Sequence, residues 1–584
     1  MKKNVASLLL LVMLLGSFAS YATPERGQLN TELDAFIEQN RSRVPGAALS
    51  LFTADETIYE RIIGFENKED TIAMSEDSVI DWGSITKLLT WVSLMQLAEE
   101  GKLALEEDIR THLPPELMTN FRYDQAVTFL DLMNHRAGFQ ESLVNLFVPF
   151  GKNVPPLEEA LGTHPPAQVF PPGTVVAYSN WSTALGGYLV ETISGMDFAD
   201  YVHAKIFEPL GMKHTAIRPD LSDQPWVLSR RRNLRGYSSN GEYLPDGFMS
   251  IPLYPAGMAV GTLGDFRLFA QALLSADENP TLFQKAETKE KFFSPSAWYE
   301  NGVPRNSHGM WHYSFSSPVV GHGGNTAACS SQLLLDRKSG LGMVIMTNQQ
   351  GETVFNNELP TVVFGDFTGS PYYDSLRPIP TSFVTTARSV FRGPLKFLSI
   401  ALQKMEESDR ETLWSYSDSD SIARIQMPYT DLLELTGFSL WIRLAAIFFL
   451  IGGALYGVLT LVLGGVMLRL IRKFRYKKRK MTPICRPWRR WNYLASAAMM
   501  LLFINLGILL FQLLLFQPIS HYYWQLIVSA LLLLAIAGLT VSFFFLKKVP
   551  ETRLERAKTL LTYFLLAGVL FTGIYFELFR FWAL

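Results

Sequence analysis

Cysteine is almost absent from this chain: Cys329 and Cys485 are the only two in 584 residues. Two thiols cannot staple a disulfide scaffold, and a zinc ribbon needs more ligands. Acidic residues are nearly missing from the last quarter, where residues 438–584 hold 3 Asp/Glu against 18 Lys/Arg. The first 437 residues hold 51 acidic against 34 basic, so a net charge of −2 conceals one end at +15 and another at −17. That balance excludes a simple nucleic-acid binder, which needs a basic field to offset phosphates. A split of this kind points to two environments. No internal repeat is visible.

Long apolar runs are what the chain does have. Residues 1–22 read as a secretory signal peptide, with Lys2 and Lys3, an apolar stretch over 5–15, and Ser20-Tyr21-Ala22 as a small-residue cleavage site. The alternative is an uncleaved anchor, for which the run is short against the ~20 residues of a membrane span. Four further runs, about 444–468, 493–516, 525–546 and 559–576, are long enough to cross a ~30 Å hydrocarbon core as helices. The connection 469–490 carries eleven basic and no acidic residues, 517–524 carries no Lys or Arg, and 547–558 carries five basic residues. The positive-inside rule then puts the first and third connections in the cytoplasm, and residues 23–437 outside. Export by the signal peptide gives the same answer independently. Asn505 and Gln512 are the main polar residues within the spans, with Arg443 and Glu577 near their ends. That supplies little for a transport pathway, so an anchor or substrate-gathering surface is the better expectation.

In the exported part, 31–41 reads as a helix, and 47–52 and 57–65 as strands around Ala54-Asp55-Glu56. A helical middle follows from Ser84, broken by Pro114-Pro115, Pro155-Pro156 and Pro165-Pro166. Strand-like runs return at 319–322, 329–335 and 343–347. Strands at both ends of a helical middle predict an α+β domain over 23–368, its one sheet completed late, with a helical subdomain. Residues 369–437 read as an irregular juxtamembrane connector, with a loop-like run from Tyr416 to Ser421 and a short helix over 395–405 opened by Gly393-Pro394. The transmembrane domain is 438–584.

Three short segments carry chemistry. In Trp82-Gly83-Ser84-Ile85-Thr86-Lys87, a Ser-x-x-Lys spacing on a helix puts hydroxyl and amine on one face. A helix starting near Ser84 favours negative charge developing on its oxygen. A neutral amine can take the hydroxyl proton and make Ser84 a nucleophile. That needs the lysine pKa lowered from ~10.4 toward neutrality, at a cost of ~4 kcal/mol. Alone the motif is weak, since such spacings arise by chance. Tyr178-Ser179-Asn180 follows the turn Phe170-Pro171-Pro172-Gly173, and a tyrosine hydroxyl can relay a proton between serine, lysine and a leaving group. Gly321-His322-Gly323-Gly324-Asn325 follows a strand-like run. An edge strand there can pair with an extended amide and offer an N–H to an oxyanion. Each of these residues has a plain structural alternative: a surface lysine, a buried tyrosine, a solvent-facing imidazole.

Taken in order, the three segments resemble the serine beta-lactamase and penicillin-binding-protein-like family, in its class C, D-aminopeptidase and esterase branch. The resemblance covers most of 28–368 and extends to Leu132-Met133-Asn134-His135-Arg136-Ala137-Gly138-Phe139, Glu208-Pro209-Leu210-Gly211-Met212 with Thr215, and Pro255-Ala256-Gly257-Met258. It implies Ser84 as acylated nucleophile, Lys87 as its base and Tyr178 as proton shuttle. It also implies Asn180, His322, Gly323 and Gly324 at the substrate, and the backbone N–H groups of Ser84 and Asn325 as oxyanion hole. No metal or cofactor is implied. Where related enzymes acting on beta-lactams or D-Ala-D-Ala carry Lys-Thr-Gly, this chain has His322-Gly323-Gly324. A fixed cation becomes a titratable imidazole, which moves the expectation toward an amidase, aminopeptidase or esterase.

The expected protein is thus a membrane-anchored extracytoplasmic serine hydrolase acting on a small-molecule or peptide-like substrate, lipid-linked in one version, with membrane lipids as neighbours. Prodrug-activating peptidases of that family, which remove an acylated D-amino-acid leader, resemble the plan, though they carry three spans and this chain reads as four. The enzyme alternatives are an esterase and a cell-wall D-amino-acid peptidase or beta-lactamase. From another class, a non-catalytic acylated sensor would need a signalling domain, and the interior loops are short. His308 and His312 have a metal-like spacing, but Gly309 and the aromatics suit a strand, where the pair would not converge. His135 reads as a turn residue, and Cys329 and Cys485 fall on opposite sides of the membrane.

Overall fold

Apolar residues alternate or run unbroken near both ends of the exported part, and those stretches form one sheet. The computed structural model describes residues 26–580, apart from 142–145, 152–153, 164, 246, 276–281, 373–382, 389–399, 405–414, 418–423, 436, 464–484, 515–518 and 546–552. Helix α1 (Arg26–Asn40) leads into β1 (Gly46–Phe52), β2 (Thr57–Asn67) and β3 (Ile72–Ala73). The late strands are β4 (Ala297–Trp298), β5 (Pro304–Ser307), β6 (Met310–His312), β7 (Val320–Asn325), β8 (Ser330–Asp336) and β9 (Leu341–Thr347). They join in the order β4-β5-β6-β7-β8-β9-β1-β2-β3, antiparallel throughout. β9 pairs directly with β1, so the chain ends close the centre of the sheet, as expected. β1, β8 and β9 are buried at every position, the pattern of strands covered on both faces.

Between the two sets of strands lies the helical part. α2 (Thr86–Glu99) is buried at all twelve positions from Thr86 to Leu97, so it runs through the interior rather than across the surface. α3 (Asn180–Ser194) packs against it, and α4 (Leu263–Leu274) packs on the sheet with Phe266 stacked 4.5 Å from Trp82. The α2–α3 approach depends on small residues. A Cβ on Gly186 would fall 2.9 Å from the Trp91 ring, and one on Gly187 would fall 2.5 Å from Pro255. That closeness brings the start of α3 to the start of α2.

Residues 369–437 differ from the expected irregular connector. β10 (Phe383–Arg388), β11 (Ile400–Lys404), β12 (Ser415–Ser417), β13 (Arg424–Gln426) and β14 (Asp431–Glu434) form a separate antiparallel sheet, ordered β11-β10-β14-β13-β12. Ile400–Lys404, expected as helix, is a strand, and part of the expected loop from Tyr416 is strand as well. The remainder of both stretches lies outside the described residues. Long-range pairing outweighed local turn chemistry there.

Four helices then follow: α5 (Gly437–Val458), α6 (Cys485–Leu514), α7 (Ile519–Ser542) and α8 (Arg553–Tyr575). Each contains a stretch long and apolar enough to cross a membrane. They start earlier than the apolar runs, and polar contacts join the early turns of the second and fourth. Arg489 meets Glu555 at 2.7 Å and Asn492 donates to Thr559 at 3.1 Å. Asn505 is buried and donates to Gln525 O and Ser529 Oγ, both at 2.8 Å, which makes it an interhelical fastener. The signal peptide, most of the first basic connection and part of the second lie outside the described residues.

Candidate active site

Ser84 lies on a single 3₁₀ turn, Gly83–Ile85, immediately before α2, rather than on the helix itself. Gly83 has a φ of +53°, a conformation open to glycine at little cost. A Cβ there would lie 2.7 Å from the backbone N of Asn325. From the other side, a Cβ on Gly324 would lie 2.0 Å from the Trp82 carbonyl oxygen. The two glycines let the end of β7 press against the serine turn, which places the Asn325 N–H beside Ser84. Ser331 Oγ donates to the same Trp82 carbonyl at 2.8 Å and fixes the junction. β6 pairs with β7 only at Val320 and Gly321, so among the described strands Gly323 to Asn325 bond to β8 alone. Their other edge is free for an extended ligand.

Lys87 is fully buried. Its Nζ lies 2.6 Å from Asn180 Oδ1, 2.6 Å from Ala256 O and 3.2 Å from Ser84 Oγ. The two short contacts are to pure acceptors. They take both N–H bonds of a neutral amine and leave its lone pair for the serine hydroxyl. Burial holds the ammonium pKa down to about 7, opposed by the nearby Glu141 carboxylate. Glu141 in turn accepts from the Asn180 backbone N–H at 3.0 Å and from Asn180 Nδ2 at 3.3 Å, so it orients the amide that orients the lysine.

Tyr178 donates its hydroxyl to Ser84 Oγ at 2.7 Å, and the lysine nitrogen sits 4.8 Å from the phenol ring centre. Burial raises the phenol pKa, the Ser84 bond opposes that, and Glu141 adds to it, so Tyr178 keeps its proton at neutral pH. Ser179 caps α3 by accepting from Ser182 N–H at 3.1 Å, which turns Tyr178 and Asn180 toward Lys87 together.

His322 departs from the titratable cation expected of it. It is fully buried, its ring stacks 4.0 Å from Trp311, and its Nδ1 bonds Gly323 O at 2.6 Å. Burial, aided by Lys87, lowers its pKa to about 3. The ring is neutral at physiological pH and has no surface to offer a ligand, so the family's fixed cation has no substitute at this position. The glycines of that strand serve the approach of β7 to the serine turn as much as the approach of a substrate. Asn180, expected at the substrate amide, has its carbonyl oxygen committed to Lys87 and an amide N–H committed to Glu141.

His135 does occupy a turn, at φ +53°, yet its ring also lies 4.4 Å from Tyr178 and its Nδ1 accepts from Ser179 N–H at 3.5 Å. It too is kept neutral, by burial first and by Lys87 and His322 after that. His308 and His312 are used separately: His312 Nε2 is 2.8 Å from Ser307 Oγ on β5, and His308 stands at a left-handed φ beside Gly309. Cys329 is buried, with its thiol pKa raised. Glu141 was not foreseen, and no spacing rule points to it. Ala256 stood in a recognised segment, but a backbone carbonyl leaves no trace in side-chain identity.

A serine whose proton can pass to a neutral buried amine, beside a phenol that keeps its own, is the centre of a serine hydrolase. The family model described as Beta-lactamase matches residues 33–364, and the chain belongs to that family. Among curated proteins it is 28% identical to Penicillin-binding protein 4 of Amycolatopsis lactamdurans, over 30% of this chain and 46% of that one. It is 21% identical to Protein flp of Staphylococcus aureus (strain MW2), over 55% of this chain and 64% of that one. The chain thus spans between about half and just under two thirds of the length of these relatives. A solved structure described as SurE superposes with a TM-score of 0.50 at 18% identity, covering 70% of this chain and 99% of that one, which speaks for the fold.

Proposed function

We propose that this protein is a membrane-anchored hydrolase that cleaves an amide bond outside the cytoplasm through an acyl-enzyme on Ser84. The observation that carries the reading is the Lys87 nitrogen, held by Asn180 and Ala256 at 3.2 Å from Ser84 Oγ. In acylation, Ser84 Oγ bonds the carbonyl carbon and its proton passes to Lys87. The oxyanion rests on the N–H groups of Ser84 and Asn325. Tyr178 gives its proton to the departing nitrogen and is reprotonated from Lys87. Water then attacks the ester carbonyl as Lys87 takes its proton, the C–O bond to Ser84 breaks, and the serine oxygen receives that proton back from Lys87.

Amide is preferred to ester because an amine leaves only when protonated, and Tyr178 is a phenol kept protonated by burial. The neutral, buried His322 supports a substrate without the free carboxylate that a fixed cation would hold. An acylated or D-amino-acid-containing amide fits that description. A free peptidoglycan terminus or a beta-lactam fits less well, although one relative is named a penicillin-binding protein. Four membrane-length helices and the basic connections between them support the anchoring and an extracytoplasmic catalytic domain. A tethered site would meet a lipid-linked substrate at high effective concentration.

The test uses the full chain, with a fluorescent serine-reactive phosphonate followed by an amide and ester library. Wild type should label and turn over repeatedly. Ser84→Ala should abolish labelling, Lys87→Ala should nearly do so, and Tyr178→Phe should slow amides by about 10²–10⁴-fold. Undiminished labelling of Ser84→Ala refutes the nucleophile. Labelling without turnover supports an acylated sensor instead.

A further inference from the structure

The matched family domain ends at residue 364, but the wall of the active site does not. Residues 427–431 join β13 to β14 in the second sheet, and this turn reaches the catalytic segments from two sides. On one side, Asp431 N–H donates to Val176 O at 2.8 Å while Val176 N–H donates to Asp431 Oδ2 at 3.1 Å. Thr430 forms a bridge with Ala177. Val176 and Ala177 lead straight into Tyr178. On the other side, the Tyr429 ring lies 5.2 Å from Trp311, the indole that stacks on His322.

The turn is clamped by charge. Arg305 on β5 donates to Met427 O at 2.8 Å and to Asp431 Oδ1 at 2.7 Å, and both charged side chains are buried. Arg424 approaches Asp431 Oδ2 at 3.4 Å and pairs with Glu300 at 3.2 Å. A buried ion pair contributes little net stability, and its best-attested use is to fix register. Here the register it fixes is that of the segment leading into Tyr178, because one residue holds both the N–H and the carbonyl of Val176. The 174–178 stretch is held at two further points: Arg424 donates to Thr174 O at 2.9 Å, and Ala177 N–H donates to His135 O at 2.8 Å.

We infer that Asp431 is a positioning residue for Tyr178, so that proton delivery to the leaving group requires the second sheet to be docked on the catalytic domain. The inference rests on the amide-hydrolase reading above. It also joins chemistry to the C-terminal helices. From Asp431 to the start of α5 at Gly437 is six residues, a reach of at most roughly 20 Å. The first membrane-length helix thus starts within a short tether of the turn that holds Val176.

The experiment compares two substrates with one acyl group, an anilide and an activated p-nitrophenyl ester, on the full-length detergent-solubilised protein. The anilide needs a proton on its leaving group and the ester does not. Misplacement of a catalytic group by about 1 Å costs up to about 10²-fold. Asp431→Ala should therefore lower kcat on the anilide at least about tenfold more than on the ester, with KM little changed. Asp431→Asn keeps an acceptor for Val176 N–H and should recover part of the anilide rate. Tyr429→Ala, which trims a partly exposed ring and does not threaten folding, should give the same selectivity more weakly, about threefold. Equal losses on both substrates in folded protein, or an unchanged anilide rate in Tyr429→Ala and in whichever Asp431 variant folds, overturns the inference. A wild type that turns over neither substrate overturns the amide-hydrolase reading and this inference with it.

Discussion

The catalytic domain and the C-terminal helices are built on opposite rules. In the first, large apolar side chains point inward, and the charged groups that go with them, Lys87 and Arg231, are buried among specific partners. In the second, many large apolar side chains point outward, although others pack between the helices: Phe438 is 82% exposed, Trp441 70% and Leu534 69%. The polar Asn505, Ser529, Thr562 and Thr572 lie inside instead. The two surfaces suit different surroundings. An outward apolar surface with inward hydrogen bonds suits a surround with no water, where every polar group must find a partner within the protein. An inward apolar core with a few buried charges suits water outside and a reactive cleft within.

Substitutions that break this contrast should differ in kind. The largest effect is expected at the junction of β7 with the serine turn. A Cβ at Gly324 meets the Trp82 carbonyl, a backbone atom that cannot swing away. Gly324→Ala should thus push Asn325 off the oxyanion position and lower kcat by about 10²–10³-fold, with the protein still folded by circular dichroism. A smaller effect is expected among the helices. Asn505→Ala removes two bonds to α7 and should cost about 1 kcal/mol of bundle stability in mixed micelles, leaving the hydrolytic rate of solubilised protein unchanged. If Asn505→Ala instead abolished turnover, the two regions would not be separable as described.

Much of the catalytic arrangement could be read from residue order. Ser84, Lys87 and Tyr178 come together as expected, and the early strand at 47–52 and the late strand at 343–347 lie in one sheet, as neighbours. What escaped was carried by geometry that local patterns do not encode. The 3₁₀ turn under Ser84 depends on Gly83 packing against Asn325, more than two hundred residues away. The protonation state of His322 depends on burial and then on Lys87, not on the imidazole itself. The sheet in the connector escaped because its strands pair across long intervals, such as Thr386 with Glu434, whereas runs like Ser417-Asp418-Ser419 carry turn chemistry.

The central claim is that Lys87 acts as a neutral base. Its pKa is lowered to about 7, while that of His322 lies near 3, so between pH 5 and 9 the lysine alone of these two groups should change charge. Deprotonation activates Ser84, so the rate rises with pH. The direct measurement is the second-order rate of Ser84 acylation by an activated ester across that range. The account predicts a rise of about tenfold per pH unit below the midpoint, a bend near pH 7 and a plateau above it. A rate that is flat from pH 5 to 9, or that still climbs toward pH 10 with no bend, would contradict it.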